Sequence, residues 1–295
     1  MALVYLLRDL AKHGDFEVVA LAHLNHQLRD SAPRDQQFCE QLAEKLGVRL
    51  LVETADVRAY VSAERLSIED AARRLRYAFL GRTAVAAGAD RIAVGHTQDD
   101  QAETFLLKLM RGAGLRGLAG IYPRRGQVIR PLIEVSRADL RTYLVSRGAN
   151  WVEDESNADV ENPRNRIRHH VLPELDRAAS ASTRPALARA AALAREDTEW
   201  LDEQADRCFV ELAVRGADGL QLDVTKLGEM PAPILRRVLL LAIRDTAGSR
   251  EVGLEHVEAV RAVLTGIGGG VDVPGARVEL RRGKLVLLQQ KAGAK

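Results

Sequence analysis

The sequence predicts an α/β fold, in which a parallel-sheet domain is followed by a smaller, mostly helical domain with a short β tail. In the first half, short apolar segments alternate with amphipathic segments of helical length, which is typical of a parallel sheet covered by helices. Near residue 150 this alternation stops and long helical patterns follow. After the glycines at 268–270, short apolar segments predict small strands.

The length, the net charge and the cysteine content limit the classes of protein to which this sequence can belong. The 295 residues permit one large domain and a smaller one, and we place the boundary between residues 178 and 179. The formal net charge is only +2, so any basic surface that binds nucleic acid must be local. Cys39 and Cys208 are too few and too far apart to suggest a disulfide framework or a metal site. With no membrane-spanning apolar run and no signal peptide, we expect a soluble cytoplasmic protein without membrane association.

The elements of the first domain follow from apolar periodicity. Apolar runs predict strands at residues 17–22, 48–52, 91–94 and 127–133. Helical spacing predicts helices at residues 1–12, 33–46, 68–87, about 97–110 and 136–147. We expect the strand at 127–133 to be an edge strand, because Pro131 cannot donate to a ladder. We expect residues 56–67 to be a connection.

The second domain is expected to be mainly helical. Residues 185–216 predict one long helix, with Pro185 in its first turn, and residues 233–247 and 254–264 predict two shorter ones. The predicted strands of the β tail are residues 271–273, 277–280 and 285–288.

Residues 95–104, Gly-His-Thr-Gln-Asp-Asp-Gln-Ala-Glu-Thr, join a predicted strand to a predicted helix. In a parallel α/β sheet this crevice is where ligands bind. Thr97 and Asp100 have the spacing of a capping box, and acidic residues favour a helix N-terminus. Helix capping would therefore account for these two residues without any function.

Capping does not account for His96 or for a second carboxylate next to Asp100. Adjacent carboxylates repel each other unless a cation lies between them, and Mg²⁺ with a nucleotide phosphate is the usual cation. We therefore favour a catalytic site made of His96, Asp99, Asp100 and Glu103, in which Asp99 and Asp100 are the metal ligands.

Two other polar clusters have simpler alternatives. His23, Asn25, His26 and Arg29 follow the first predicted strand, where they suit phosphate and proton handling but equally a solvated loop that caps the next helix. Arg73, Arg74 and Arg76 lie on one helix and form a run that is usually a solvated face.

Residues 111–117, Arg-Gly-Ala-Gly-Leu-Arg-Gly, follow the central helix. Gly112 or Gly114 would end that helix, whereas Arg111 and Arg116 could pair with phosphate. The segment is not a Walker loop, because no Gly-Lys-Ser/Thr follows. Asn165, Arg166 and Arg168 are near Asp154 and Glu155 in sequence. An interdomain salt-bridge network and contact with a nucleic-acid backbone both explain them.

Taken in order, these segments resemble the tRNA(Ile)-lysidine synthetases, members of the N-type ATP pyrophosphatase (PP-loop) superfamily. The matching segments are residues 23–29, 71–77, 95–117, 130–132 and 151–168. The likeness covers about the first 175 residues, and beyond residue 180 it is limited to the style of a helical tRNA-binding domain. It implies a PP-loop ATPase domain with the fold of the adenine-nucleotide alpha hydrolases.

The resemblance also implies an activity. ATP would adenylate C2–O of the wobble cytidine in an isoleucine tRNA with a CAU anticodon. The ε-amine of L-lysine would then displace AMP and give lysidine. ATP and Mg²⁺ are the implied cofactors, tRNA and lysine the implied partners, and a homodimer is compatible with it. Implied nucleotide- and substrate-binding residues are His23, Asn25, His26, Arg29, Arg73, Arg76, Arg111, Gly112, Arg116 and Arg130. Implied tRNA-binding residues are Arg164, Asn165, Arg166 and Arg168.

One feature of the family is missing from the sequence. Its nucleotide loop, SGGxDS, has no counterpart, and Met1 to Val4 resemble the residues that follow that loop. We therefore expect residues 1–295 alone to bind ATP weakly and not to turn over. The alternative is a non-catalytic relative that binds tRNA or protein. A PP-loop tRNA thiolase ranks lower, because Cys39 and Cys208 lie in no cysteine motif.

Overall fold

The structure, a computed structural model, describes residues 1–28, 32–152, 161–216, 219–248, 250–266 and 269–290. The chain forms two compact units, Met1–Leu193 and Ala194–Lys295. The domain boundary that we expect between residues 178 and 179 stays a prediction. In the described part of the chain, no helix combines the length and the apolar character needed to cross a membrane.

Helices alternate with short strands in the first unit. The helices are α1 (Ala2–Ala11), α2 (Ala32–Leu46), α3 (Val57–Glu64), α4 (Ile68–Ala87), α5 (Gln98–Met110), α6 (Leu115–Leu118), α7 (Arg137–Ser146), α8 (Pro163–Arg166) and α9 (Leu172–Ala179). A π-helical turn, Ile167–Val171, joins α8 to α9. The strands are β1 (Leu21–Asn25), β2 (Leu50–Thr54), β3 (Ile92–Ala93), β4 (Arg124–Arg125) and β5 (Val128–Ile129).

The strand pairing confirms an α/β domain and corrects the predicted place of β5 in the sheet. β1 pairs with β2, and β3 with β5, both in parallel. β5 lies between β3 and β4, so it is not the edge strand that we expected. Pro131 does not interrupt this ladder because it lies beyond the end of β5.

The first strand also lies later in the chain than predicted. Its register with β2 runs from Leu21↔Leu50 to Asn25↔Thr54, so residues 17–20 precede the ladder. His23 and Asn25 are therefore strand residues and not part of a loop. The connection at 56–67 contains α3, which we did not predict, and the Asp56 carboxylate caps it by accepting from the amide of Ala59 at 2.9 Å.

The second unit contains more sheet than the sequence suggested. Its elements follow α10 (Arg184–Leu212), within which the division between the units falls. They are β6 (Val214–Gly216), β7 (Gly219–Asp223), α11 (Val224–Gly228), α12 (Ala232–Ala247), α13 (Leu254–Leu264), β8 (Gly270–Val273), β9 (Ala276–Arg281) and β10 (Lys284–Gln289). The strands form one antiparallel sheet in the order β6-β7-β10-β9-β8. The expected short β tail is therefore wrong, as is the expected helix through residue 216.

Apolar packing fixes the segment that carries the site. Leu106 of α5 packs in one buried cluster with Ile167 of the π-helical turn and Leu172 of α9. Ile167 is 1% exposed and Leu172 is fully buried. Burying such side chains stabilises the packing of two elements by roughly 1.5–3 kcal/mol each. The cluster therefore holds the arginine-rich residues 164–168 against α5.

Candidate functional site

The N-terminus of α5 is capped as its sequence predicts. The Thr97 hydroxyl accepts from the amide of Asp100, and the Asp100 carboxylate accepts in return from the amide of Thr97 at 2.8 Å. The Thr97 hydroxyl also donates to Asp100 Oδ2, at 2.8 Å. One oxygen of Asp100 is therefore occupied by the capping box, which was the simpler of the two explanations for this residue.

Glu103 is the centre of the site. Its side chain has no solvent exposure, and it lies one turn after Asp99 on α5. Oε1 accepts from Arg137 Nη1 at 2.9 Å and from Arg168 Nε at 2.7 Å. Oε2 accepts from Arg164 Nε at 2.7 Å and from Arg168 Nη2 at 3.2 Å. One buried carboxylate thus joins α7, α8 and the π-helical turn.

The neighbouring aspartates extend this network. Asp100 Oδ1 accepts from Arg137 Nη2 at 2.6 Å and from Arg164 Nη2 at 3.3 Å. Asp99 Oδ2 accepts from the amide of Arg137 at 2.8 Å, and Asp99 Oδ1 lies 3.3 Å from Arg184 Nε. Asp99, Asp100 and Glu103 are therefore held by four arginines.

The arginines keep the carboxylates ionised. Burial alone would raise the pKa of Glu103, but the hydrogen bond from Arg168 and the positive charge of Arg137 outweigh it, and the pKa is lowered. Burial acts in the same direction on Asp100, where the charges of Arg137 and Arg164 also prevail and lower the pKa.

A magnesium ion does not fit this arrangement of Asp99 and Asp100. All four carboxylate oxygens already accept hydrogen bonds or face a guanidinium group. The described residues also include no group of three or more His, Cys, Asp or Glu side chains placed to hold a metal ion.

His96 and Arg130 follow the parallel strands β3 and β5. His96 is half-buried, and burial lowers its pKa to about 4, with the charge of Asp100 acting against the shift and those of Arg130 and Arg164 adding to it. The imidazole is therefore neutral near pH 7. Arg130 is 6% exposed and donates to the carbonyl of Tyr122 at 2.6 Å and to the hydroxyl of Tyr77 at 3.3 Å.

A second group of predicted residues lines a cavity of about 230 Å³ at the end of β1. His23, Asn25, His26 and Arg76 contribute to its wall. Arg76 Nη2 lies 3.3 Å from His26 Nε2, and Asn25 Nδ2 donates to Gln36 at 3.2 Å. Burial lowers the pKa of His23. Residues of β1, of the turn that follows it, of α2 and of α4 form this cavity, and its lining combines apolar with polar side chains.

Other predicted residues lie elsewhere. Arg111 and Gly112 follow the C-terminus of α5, and Arg116 lies in α6. The 13 residues of α5 span about 20 Å, so these residues are far from the capped end. Arg73 lies over the ring of Tyr77, 5.0 Å from its centroid. Arg29 lies outside the described residues, as do residues 153–157 of the acidic segment.

The basic segment after residue 162 divides into two kinds of side chain. Arg164 and Arg168 point to Glu103, and Asn165 is 6% exposed. Arg166 is exposed, and no described carboxylate pairs with it. Both partners of the salt bridges lie in the first unit, so the network is not interdomain.

Arg137, Arg184 and Tyr77 contribute to the site and were not predicted. Arg137 is the first residue of α7, a position where acidic residues are favoured over basic ones. That mismatch was the one signal for Arg137 in the sequence. Tyr77 lies in the family-like segment 71–77, but nothing in the sequence indicated the bond that its hydroxyl accepts from Arg130. Arg184 had no comparable signal, because its contact with Asp99 is distant in sequence.

Comparison with known proteins identifies the first unit. Residues 1–175 match the PP-loop domain family. A tRNA(Ile)-lysidine synthase of Chlorobaculum tepidum is 34% identical over 276 residues, which cover 91% of this chain and 83% of the relative. That of Dehalococcoides mccartyi is 35% identical, covering 93% of this chain, and that of Geobacter sulfurreducens is 40% identical, covering 84%.

The chain spans 60% of the length of the Dehalococcoides relative and 54% of the Geobacter relative. Among solved structures, the U34-tRNA thiolase NcsA from Methanococcus maripaludis, with its [4Fe-4S] cluster, is similar with a TM-score of 0.52. The similarity covers 67% of this chain and 66% of that one, at 14% identity, and shows a shared fold. On the sequence matches, the chain belongs to the tRNA(Ile)-lysidine synthase family of PP-loop proteins.

Proposed function

We propose that this protein ligates L-lysine to C2 of the wobble cytidine in an isoleucine tRNA with a CAU anticodon, and that ATP drives the reaction. The observation that carries the proposal is the extent of the sequence match. It covers 91–93% of the chain for the Chlorobaculum and Dehalococcoides lysidine synthases, and so includes the second unit as well as the PP-loop domain. A tRNA substrate agrees with a cytoplasmic location.

ATP supplies the leaving group. Transfer of AMP from ATP to the C2 oxygen releases pyrophosphate and turns a poor leaving oxygen into a good one. The lysine amine then displaces AMP at C2. The attacking amine must lose a proton, which a nearby base assists. We assign nucleotide and substrate binding to the cavity lined by His23, Asn25, His26 and Arg76, which offers imidazole and guanidinium groups.

We assign two different roles at the N-terminus of α5. His96 is neutral, so it can accept a hydrogen bond from an ammonium or hydroxyl group without repelling it by charge. Glu103 is a positioning residue, because three arginines surround its carboxylate and leave no oxygen free for a substrate. We assign no magnesium role to Asp99 and Asp100, because their oxygens already accept hydrogen bonds or face an arginine side chain. A homodimer stays a prediction.

We assign tRNA contact to the exposed Arg166. Its side chain is available for a phosphate, whereas Arg164 and Arg168 are engaged by Glu103. Of the candidate tRNA-binding arginines, Arg166 therefore has the smallest structural role. Asn165 is only 6% exposed, so its side chain is less accessible to RNA than that of Arg166.

The test is mass spectrometry of the tRNA. A CAU-anticodon isoleucine tRNA is incubated with ATP, Mg²⁺, lysine and either residues 1–295 or the full product of the natural reading frame. We expect the full product to add the mass of one lysyl residue to the wobble cytidine. The matched control is the same tRNA with uridine at the wobble position, which lacks the cytosine ring. Binding of the CAU tRNA without modification by either form would support the non-catalytic alternative.

A further inference from the structure

Three arginines without a role in the proposed reaction lie at one end of the sheet β3-β5-β4. Arg124 and Arg125 form β4, and Arg91 directly precedes β3. All three are exposed. Arg91 Nη1 donates to the backbone carbonyl of Asp90 at 2.8 Å, and Arg124 Nε donates to that of Gly126 at 3.5 Å. Among the residues that the structure describes, no carboxylate forms a salt bridge with these arginines.

The strand register brings the three arginines close together. Arg125 pairs with Val128 of β5, which pairs in turn with Ile92 of β3. Neighbouring strands lie about 4.8 Å apart, so roughly 10 Å separates the backbone of Arg125 from that of β3. A turn of two residues joins β4 to β5, and it begins at Gly126, whose φ is +59°. The hairpin therefore presents its arginines beside Arg91.

This surface is separate from the candidate functional site. Arg91 lies before β3 and His96 after it, and in the same way the hairpin turn lies before β5 and Arg130 after it. The arginines are therefore at the opposite end of the strands. A single exposed ion pair contributes little to binding, so a ligand held at this surface must contact several of the arginines at once. A polyanion meets that requirement.

We propose that Arg91, Arg124 and Arg125 contact the phosphate backbone of the substrate tRNA. Each arginine that neutralises a phosphate releases a counter-ion, which favours binding. The formal net charge of the chain is only +2, so attraction of RNA depends on local groups of this kind. Asp90 is exposed beside Arg91 and offsets part of the positive charge. The inference rests on the proposed function only for the identity of the RNA.

Protection of an edge strand is the simpler explanation for two of these arginines. β4 lies at the edge of its sheet, and charged side chains on an edge strand prevent pairing with another molecule. Edge protection needs a charge of either sign, whereas contact with RNA needs a positive one. Replacement by lysine, glutamine or glutamate therefore separates the two explanations.

The experiment measures binding and needs no turnover. Three double variants replace both Arg124 and Arg125 by Lys, by Gln or by Glu, and Arg91→Gln is tested alone. The probes are an unmodified transcript of an isoleucine tRNA with a CAU anticodon, without ATP or lysine, and polyglutamate. Filter binding follows the tRNA over roughly 50–200 mM salt. Fluorescence anisotropy follows labelled polyglutamate, and sedimentation measures self-association of the free proteins.

Arg82→Gln is the matched control. Arg82 is also exposed in the first unit, but its guanidinium lies 2.6 Å from a carboxylate oxygen of Glu53. Its substitution changes the net charge of the protein by the same amount as Arg91→Gln. A difference between these two variants therefore reports the position of the charge.

We expect the Gln double variant to reduce the slope of log K against log salt concentration by about two units, and Arg91→Gln by about one. At low salt each lost contact should weaken tRNA binding by up to roughly tenfold. The Lys double variant should bind like the wild type. The Glu double variant should bind more weakly than the Gln variant and should not self-associate. Arg82→Gln should leave the salt slope unchanged.

The proposal is overturned if the wild type shows no salt-dependent binding of tRNA, or if the Gln and Glu double variants keep the wild-type slope. Self-association of the Gln variant with unchanged tRNA affinity would assign the arginines to edge protection. Loss of polyglutamate binding with unchanged tRNA binding would indicate an acidic protein partner instead. These outcomes are independent of the ligase assay. A protein that makes no lysidine can still bind tRNA through these arginines, and an active ligase can prove insensitive to them.

Discussion

Glu103 shows how one residue organises this site. Its carboxylate lies where the elements that supply Arg137, Arg164 and Arg168 meet, and both oxygens accept more than one donor. A buried carboxylate is costly to desolvate, and only full pairing with good geometry offsets that cost. The pairing is complete here, so Glu103 stabilises the positions of three guanidinium groups that would otherwise repel one another.

We expect Glu103→Gln to lower the free energy of unfolding by about 3–5 kcal/mol, the usual result of removing one partner from a buried ion pair. Arg137 and Arg164 would then share the charge of Asp100, and Arg168 would no longer face the negative charge of Glu103. Urea unfolding measures the change. Glu203→Gln is the control, because Glu203 is exposed on α10 and its side chain lies 3.8 Å from Arg207. A loss below about 1 kcal/mol for Glu103→Gln would contradict the central role of this residue.

Acid should weaken the same network. The pKa of Glu103 is lower in the folded protein than its ordinary value of about 4.3. Its contribution to stability is therefore complete above that value, and it is lost as the pH falls through the lower pKa of the folded state. Urea unfolding between pH 7 and pH 3 should show a steeper loss of stability for the wild type than for Glu103→Gln. If stability fell equally with pH in the wild type and in Glu103→Gln, Glu103 would not be the source of the acid sensitivity.

The sequence identified several residues of this network but not their pairing. Glu103, Arg164 and Arg168 are candidates because of their motifs, yet the bonds between them join positions 61 and 65 residues apart. No local spacing encodes such contacts. The adjacent carboxylates Asp99 and Asp100 suggested a cation, and the structure supplies arginine cations from the chain itself.

At the scale of elements, α5 is the best predicted part of the chain because its signals are local. The capping pair Thr97 and Asp100 set its start, and Gly112, with a φ of +69°, follows its end. Such signals act within one helical turn, so they can be recognised in the sequence without knowledge of the tertiary fold.

The cap of α5 is testable with two variants. Thr97→Ala removes the hydroxyl that accepts from the amide of Asp100, and we expect a loss of about 1 kcal/mol in the free energy of unfolding. Thr97→Ser keeps the hydroxyl and should lose much less. Equilibrium unfolding in urea compares the two. Equal losses would mean that the methyl group of Thr97, and not its hydroxyl, stabilises the site.

The sheet of the second unit was harder to predict. The alternating burial of Leu220 and Leu222 in β7 is a period-2 signal, but it covers only five residues beside a helix of 29. Gly219 is required in β7 because a Cβ there would lie 2.3 Å from the carbonyl oxygen of Leu287. That close approach to β10 depends on a strand far along the chain, and nothing near residue 219 indicates it.

At the scale of the whole molecule, a net charge of +2 means that attraction of RNA depends on local patches. In the segment 162–171 the arginines have different tasks. Arg168 donates to the buried carboxylate of Glu103, whereas Arg166, two residues earlier, is exposed. Substitution of Arg166 should therefore affect RNA binding, and substitution of Arg168 should affect stability, although both side chains carry the same charge.

We expect Arg166→Gln to weaken tRNA binding and to reduce the slope of log K against log salt concentration by about one unit, as for the loss of one phosphate contact. Its free energy of unfolding should stay within about 0.5 kcal/mol of the wild type, because no described carboxylate pairs with Arg166. Arg168→Gln should do the opposite and lower stability by about 2 kcal/mol through the lost bonds to Glu103. Filter binding across a salt series and urea unfolding measure the two effects. If Arg166→Gln leaves the salt slope unchanged, the RNA backbone does not contact this segment through Arg166.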